Sequence, residues 1–449
     1  MATMRSRLPL LLLPRTTTAT TRAVSRRTYG TVLPGTTSPP PAPEAPASPP
    51  ASSVLQAAVQ AAAPRSDWTK DEIRAIYHTP LMELAFSAVR SLSLSLSLFL
   101  RICPDKQWAG QATVHRRFHD PAKIQLCTLH NIKTGGCSED CSYCSQSSRH
   151  KTGLKATPLA SVETVLAAAR TAKANGSTRF CMGAAWRDMR GRKSGLRNIA
   201  AMVSGIRAMD MEVCVTLGMI DDTQAQQLKA AGLTAYNHNV DTSREFYPSV
   251  ITTRSYDERL ATLQHVRDAG LSVCSGGILG LGEATDDHVG LLYTLASLPQ
   301  HPESVPINAL VPIRGTPLQD ASPLPFSHIL RTVATARCVM PAAVVRLAAG
   351  RISMPEEQQA LCFMAGANAV FTGERMLTTD CSGWDEDKAM MDRWGLRPMG
   401  SFARPEGGVA AAAAAAGPEP SAPGQEAPAA APELSVATGE PPAAAATPA

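Results

Sequence analysis

Cys137, Cys141 and Cys144 fall in a C-x3-C-x2-C arrangement, directly behind Gly135-Gly136. Thiolates are soft metal ligands, and a loop this tight can turn all three towards one centre. A closed structural zinc site takes four ligands, usually as two separate C-x2-C pairs. A cubane iron–sulfur cluster normally takes one cysteine per iron. Three thiols therefore leave one iron bare, open to a ligand that is not protein. A zinc loop and a chance clustering of thiols compete for the same residues.

Three further cysteines sit apart, each in a β-rich run: Cys181 in Arg179–Gly183, Cys214 in Glu212–Cys214 and Cys274 in Val273–Gly277. A lone buried cysteine on a strand is most often a small hydrophobe. Side chains alternate along a strand, so Arg179 and Cys181 share a face. If that face points inward, Arg179 carries a charge that needs anionic or sulfide-like partners. Arg346, in Val345–Leu347, is a second such case. Spacing alone leaves two readings open, simple packing and a polar, metal-bearing interior.

The elements that must position these residues alternate. From Ile124 onward, β-rich runs fall at Gln125–Ile132, Thr178–Met182, Glu212–Leu217, Ala235–Asn239, Ser272–Ser275, Ser304–Leu310, Val344–Leu347 and Ala369–Phe371. Helical patterns lie between them, as in Ser161–Asn175, Thr223–Ala231, Tyr256–Ala269 and Pro355–Ala365, and several end at glycine. Repeated βα units of these lengths predict an α/β fold, a (β/α)8 TIM-type barrel with its chemistry at the C-terminal ends of the strands. The cysteine loop follows the first strand, as that rule requires. Ahead of the barrel, Asp67 is a plausible N-cap for a helix through Tyr77, and a second helix opens near Pro80.

Residues 66–398 are expected to form the barrel domain. Within it, Val89 to Gly110 reads as an insertion: joining Ala88 to Gln111 restores a continuous run into Val114–Phe118. A retained intron would account for it, and a genuine surface loop is the alternative. Its Leu-Ser alternation looks like a strand but has no evident partner. Residues 1–65 precede the fold. Arg5, Arg7, Arg15, Arg22, Arg26 and Arg27 come before the first acid, Glu44, which is the pattern of an organellar transit peptide. A mitochondrial (matrix) address is favoured over a plastid one. The Pro/Ala/Ser stretch from Thr36 to Ala63 reads as a flexible linker, and residues 399–449 as a disordered Ala/Pro-rich tail. The net charge of +5 shows no basic face for nucleic acid, and no apolar run is long enough to cross a membrane. Eleven cysteines in 449 residues suit metal chemistry in a reducing space better than a disulfide framework.

The Cys137–Cys144 loop, with Tyr143 before its last cysteine, resembles that of the radical S-adenosylmethionine superfamily. From Trp68 to about Pro398 the chain resembles the biotin synthase family, through the runs Ile132–Cys144, Gly176–Trp186, Tyr236–Ser243, Val273–Gly277, Glu303–Asn308 and Phe363–Asn368. The resemblance implies sulfur insertion into dethiobiotin by radicals generated on the cofactor, with no catalytic side chain. It implies that Cys137, Cys141 and Cys144 hold a 4Fe–4S cluster, whose open iron takes S-adenosylmethionine. Cys181, Cys214, Cys274 and, unusually, Arg346 would hold a 2Fe–2S cluster. Tyr143, Asn239, Asp241, Gly276 and Gly277 would meet S-adenosylmethionine, while Asn239, Asn308, Thr378 and Thr379 would meet dethiobiotin. A ferredoxin- or flavodoxin-like electron donor, the iron–sulfur assembly machinery and a homodimer are the partners it implies. His130, Asn131, Ser145 and Ala348 depart from the family's usual Leu, Ser, Pro and Ser, and none removes a ligand. Another radical enzyme on the same barrel, or a non-catalytic iron–sulfur protein, is the alternative.

Overall fold

The computed structural model describes residues 51–61, 63–89 and 114–402. Its strands are β1 (Lys123–Lys133), β2 (Arg179–Ala184), β3 (Glu212–Thr216), β4 (Ala235–Asn237), β5 (Ser272–Cys274), β6 (Gly277–Leu279), β7 (Ser304–Ala309), β8 (Val344–Leu347) and β9 (Ala369–Phe371). They pair in parallel in sequence order, with β5 and β6 sharing one stave, and β9 returns to β1 through Gln125↔Ala369 and Cys127↔Phe371. The result is the closed eight-stave barrel that the alternation of runs predicts.

Helices fill the crossovers: Val162–Ala174, Lys193–Arg207, Asp222–Ala230, Tyr256–Asp268, Thr285–Ala296, Phe326–Val339 and Glu356–Met364. Their starts are chemically explicit. Asp221 with Gln224 and Ser255 with Glu258 form capping boxes, each satisfying two backbone donors that a first turn leaves unpaired. Ala231-Gly232 and Ala269-Gly270 end two of them, the glycines adopting φ of +94° and +67°. Outward strand residues such as Phe180, Val213, Tyr236 and Val305 join the helices in the main apolar core, while Cys127, Cys181, Cys214, Ala235 and Cys274 form a separate buried cluster inside the staves.

Three local expectations give way. Asp67 is not the N-cap: Thr69 caps the helix Lys70–His78 with Glu72, and Asp67 pairs with Arg65 instead. The fifth stave is broken at Ser275-Gly276, where the chain steps between β5 and β6. The end of the stretch read as a linker is a helix, Ala51–Gln60, with Val54, Leu55, Ala58 and Val59 buried. Helix Leu81–Val89 is the last element described ahead of the segment read as an insertion, and a short helix, Val114–Phe118, is the first described beyond it. The Leu-Ser alternation, residues 1–50 and the tail beyond Phe402 lie outside the described residues. After the last stave, β10 (Arg375–Met376) and β11 (Thr379–Asp380) form a hairpin, and β12 (Arg397–Pro398) adds to the foot of β1.

Candidate iron–sulfur and cofactor site

The cysteine loop leaves the top of β1 and is held at both ends. The Cys137 N–H donates to the Gln146 carbonyl at 3.0 Å and the Ser148 N–H to the Cys137 carbonyl at 2.7 Å. Gly135 and Gly136 take φ of +63° and +71°, conformations that favour glycine. Asp140 ties the loop to the segment after β4, accepting from the backbone of Thr252 at 3.0 Å and Thr253 at 3.3 Å and from both hydroxyls. Against the effect of burial, those bonds pull its carboxyl down to about 2. Buried Glu139 lies 3.5 Å from Arg187.

Burial raises the Cys137 thiol and pushes Cys141 to about 12 and Cys144 to about 11. Without a metal all three would stay protonated at neutral pH. A metal ion that displaces those protons would find three thiols on one loop, facing the same cavity.

That cavity, of about 320 Å³, opens above the staves. Thirteen of the fifteen site residues named from the sequence line it: the loop cysteines with Tyr143, the three strand cysteines with Arg346, and Asn239, Asp241, Asn308, Thr378 and Thr379. Gly276 and Gly277 do not. The structure gives these glycines a different reason. A Cβ on Gly276 would come within 2.0 Å of the Pro306 carbonyl, and one on Gly277 within 2.6 Å of the Asp241 carbonyl. Close strand packing therefore demands glycine at both positions.

Asp241 adopts φ of +70°, and its Oδ2 accepts from Tyr143 Oη at 2.9 Å and from Arg259. Arg259 also donates to the Asn239 carbonyl and, at 2.8 Å, to Tyr247 Oη. The carboxylate expected to meet S-adenosylmethionine thus also locks the aromatic residue of the cysteine loop. Asn239 Oδ1 accepts from the Gly276 N–H at 3.2 Å, and Asn308 bridges β6 to the loop after β8 through the Gly277 carbonyl and the Ala349 N–H.

Deeper in the lumen, Cys127, Cys181, Cys214 and Cys274, on β1, β2, β3 and β5, share one buried cluster. The neighbouring thiols, with burial, lift Cys181 to about 12 and Cys214 to about 11. Asn237 Nδ2 donates to Cys274 Sγ at 3.3 Å. Arg346 Nη2 donates to Gln125 Oε1 at 2.6 Å. Arg179 is only 6 % exposed and its Nη1 lies 3.7 Å from Glu212 Oε2, yet its Nε and Nη2 have no hydrogen-bond partner. A buried guanidinium with two idle donors among thiols fits an anionic sulfur-bearing group, and the donor set of Cys181, Cys214, Cys274 and Arg346 fits a two-iron cluster.

Sequence reasoning missed Cys127, Gln125, Asn237 and Arg259. A glutamine and a cysteine at alternate positions of β1, interleaved with apolar Ile124 and Leu126, were the available signal for a polar inner face. The departures from the family pattern are accommodated: the His130 ring stacks on Phe180, and Ser145 Oγ meets Thr378 Oγ1 at 2.8 Å.

Residues 131–296 match the model of the Radical SAM superfamily, and residues 306–397 that of the Biotin and Thiamin Synthesis associated domain. The mitochondrial biotin synthase of Emericella nidulans is 63 % identical over 407 residues, which cover 89 % of this chain and 96 % of that one. The chain belongs to the biotin synthase family. The mitochondrial biotin synthases of Saccharomyces cerevisiae and Arabidopsis thaliana are each 56 % identical, covering 78 % and 75 % of this chain and 88 % and 82 % of theirs. Among solved structures, methylornithine synthase superposes with a TM-score of 0.57 at 16 % identity, over 78 % of this chain and 97 % of that one. A hydrogenase maturase from Carboxydothermus hydrogenoformans gives 0.59 at 16 %, over 78 % and 79 %. Those two likenesses extend to the barrel alone, whereas biotin synthase family membership rests on the sequence matches.

Proposed function

We propose that this chain is a biotin synthase, inserting sulfur between C6 and C9 of dethiobiotin to form biotin. The observation that supports this best is the joining of two thiol sets in one cavity, a three-cysteine loop at its mouth and a thiol–guanidine set on its floor. When bound, a 4Fe–4S cluster with S-adenosylmethionine supplies a hydrogen-abstracting radical and a 2Fe–2S cluster supplies sulfur. The substrate carbons are unactivated, beyond any side-chain acid or base, so the protein contributes placement and exclusion of water.

The residues divide that work by depth. Cys137, Cys141 and Cys144 hold the upper cluster; Tyr143, Asn239 and Asp241, braced by Arg259, orient S-adenosylmethionine beside it. Asn308, Asn239 and the Thr378-Thr379 pair fix the two polar ends of dethiobiotin. Trp186, Val311, Ile313, Met376 and Leu377 line the cavity with apolar surface and keep water out. Cys181, Cys214, Cys274 and Arg346 hold the sulfur donor below, with Arg179 meeting its charge.

Anaerobic reconstitution with iron and sulfide, followed by S-adenosylmethionine, dithionite and dethiobiotin, tests the reading. Mass spectrometry should find biotin together with 5′-deoxyadenosine. Deoxyadenosine without biotin would point to a different radical enzyme, and neither product to an iron–sulfur protein that does no chemistry. The named relatives support a mitochondrial location, and we place the working enzyme in the matrix, as a homodimer supplied by the organelle's cluster-assembly machinery and a ferredoxin- or flavodoxin-like donor.

A further inference from the structure

The chain that follows the cysteine loop, residues 145–160, wraps the loop's outer side. His150 Nε2 meets the Cys141 carbonyl at 3.0 Å, and Arg149 Nε donates to the Ser138 carbonyl at 3.2 Å. Further on, the Thr157 N–H donates to the Thr134 carbonyl at 2.9 Å, which lays the segment along the top of β1. The loop itself reaches solvent on this side, since Gly136 and Ser138, flanking Cys137, are both exposed. An electron bound for a cluster on the loop can enter here without crossing the barrel wall.

This face is basic. Between Asp140 and Glu163 the chain has no acidic residue, while Arg149, Lys151 and Lys155 are all exposed. The loop after β2 lies alongside: a Cβ on Gly195 would stand 4.0 Å from Leu159 and 3.5 Å from Trp186. That loop adds Arg192 and Lys193, again exposed, with the Arg192 guanidinium 4.9 Å from the centroid of the Trp186 ring. Arg149 and Arg192 donate to backbone carbonyls, and none of the five cations pairs with a carboxylate among the described residues. The acids nearest in sequence are engaged elsewhere. Glu139 lies buried beside Arg187, Asp140 accepts from Thr252 and Thr253, and Asp188 holds Arg190. Leu154, between Lys151 and Lys155 in the chain, is 39 % exposed. An apolar contact ringed by charges of one sign suits a protein surface of the opposite sign. A lipid surface would also meet the charges, but it has no electron to give.

We propose that this face, with Arg149, Lys151, Lys155, Arg192 and Lys193 around Leu154, is where a small acidic electron-carrier protein docks to reduce the cluster of the cysteine loop. The proposal rests on the reading of that loop as a 4Fe–4S site, and adds to it the place where the electron arrives. One electron passes per encounter: the reduced carrier is oxidised as the loop cluster is reduced, and the carrier's own reductase restores it. Charges of this kind act mainly on the rate of encounter and are screened by salt.

The test uses the full chain, reconstituted anaerobically, as wild type, as the triple variant Lys151→Glu, Lys155→Glu, Lys193→Glu, and as Arg170→Glu. Arg170 is exposed near the end of helix Val162–Ala174, towards the foot of the barrel, and controls for charge alone. The probe is a two-iron ferredoxin of net negative charge, whose binding to each chain is read by isothermal titration calorimetry at low ionic strength. Cleavage of S-adenosylmethionine is followed beside it, once with the ferredoxin and its NADPH-dependent reductase and once with dithionite. The triple variant should bind ferredoxin roughly tenfold more weakly and lose ferredoxin-driven cleavage in proportion. With dithionite it should match wild type, and Arg170→Glu should match wild type throughout. Added salt should bring wild-type binding down towards that of the triple variant. Equal ferredoxin affinity in wild type and triple variant would overturn the proposal; if the same variant released cardiolipin-containing vesicles, the face would belong to a membrane instead. A wild type that cleaves no S-adenosylmethionine even with dithionite would defeat the reading of the loop, and that failure shows before any variant is made.

Discussion

Replacing Cys137 with alanine takes one thiol from a loop that carries only three, so no neighbour can stand in for it. Reconstituted Cys137→Ala should lose the upper cluster and all cleavage of S-adenosylmethionine. Cys181→Ala removes a thiol from the floor and leaves the loop intact. It should still release some deoxyadenosine, while biotin falls below detection; biotin at the wild-type rate would refute the assignment of the floor as sulfur donor. Tyr143→Phe deletes the hydroxyl that Asp241 accepts at 2.9 Å, while Arg259 keeps the carboxylate in place. A net loss of about 1 kcal/mol should weaken S-adenosylmethionine binding about fivefold at unchanged iron content, read by equilibrium dialysis. At this scale the sequence was legible where chemistry dictates spacing, as in the loop cysteines. It was less so where a residue acts through a neighbour. Cys127 looks like any strand cysteine until the barrel closes and gathers it with Cys181, Cys214 and Cys274, and Arg259 lies on a helix eighteen residues beyond the Asp241 that it braces.

The elements matter through what they hold still. Gly276 lies where the fifth stave steps between β5 and β6, and any Cβ there would strike the Pro306 carbonyl. Gly276→Ala should cost about 1–3 kcal/mol by overpacking, seen as a lower melting temperature in the cluster-free chain. The glycine pair was readable as a place of close approach, but the partner was not: which backbone comes near depends on how β5, β6 and β7 nest. Beyond β6, Glu283, whose side chain is enclosed, accepts from the Gly280 N–H at 2.6 Å and faces the His288 ring at 2.7 Å, linking the stave to helix Thr285–Ala296. Although burial opposes it, these bonds hold the carboxyl below its ordinary value of 4.5. A depressed carboxyl stabilises the fold fully above the unfolded-state value and loses that contribution as pH falls through the folded one. The melting-temperature gap between wild type and Glu283→Gln should therefore be widest near neutrality and close below about pH 4.5. A gap that widens in acid would contradict the link.

For the molecule as a whole, the open question is where the working enzyme begins. Arginine-rich, acid-poor composition argues that the first residues are an address, and the Pro/Ala-rich stretch behind them reads as a spacer. Composition could not show that the spacer ends in structure, because Ala51–Gln60 is made of small and polar residues whose few large apolar side chains look incidental. In the fold they are not incidental. Leu55 is 1 % exposed, and Arg117 donates to the Ala61 and Val59 carbonyls at 2.6 and 3.0 Å, closing the end of that helix. Burying an aliphatic side chain of this size contributes about 1.5–3 kcal/mol, and Val54 and Val59 add to it. A chain that starts at residue 49 should consequently melt with the full-length protein. One that starts at residue 66 lacks the helix, leaves the side chains it covered open to water, and should melt several degrees lower. Attached to a fluorescent reporter, residues 1–48 should suffice for mitochondrial uptake, since they carry six arginines ahead of their one acid, Glu44. If the chain from 66 proved as stable as the chain from 49, the helix would belong with the address and not with the enzyme.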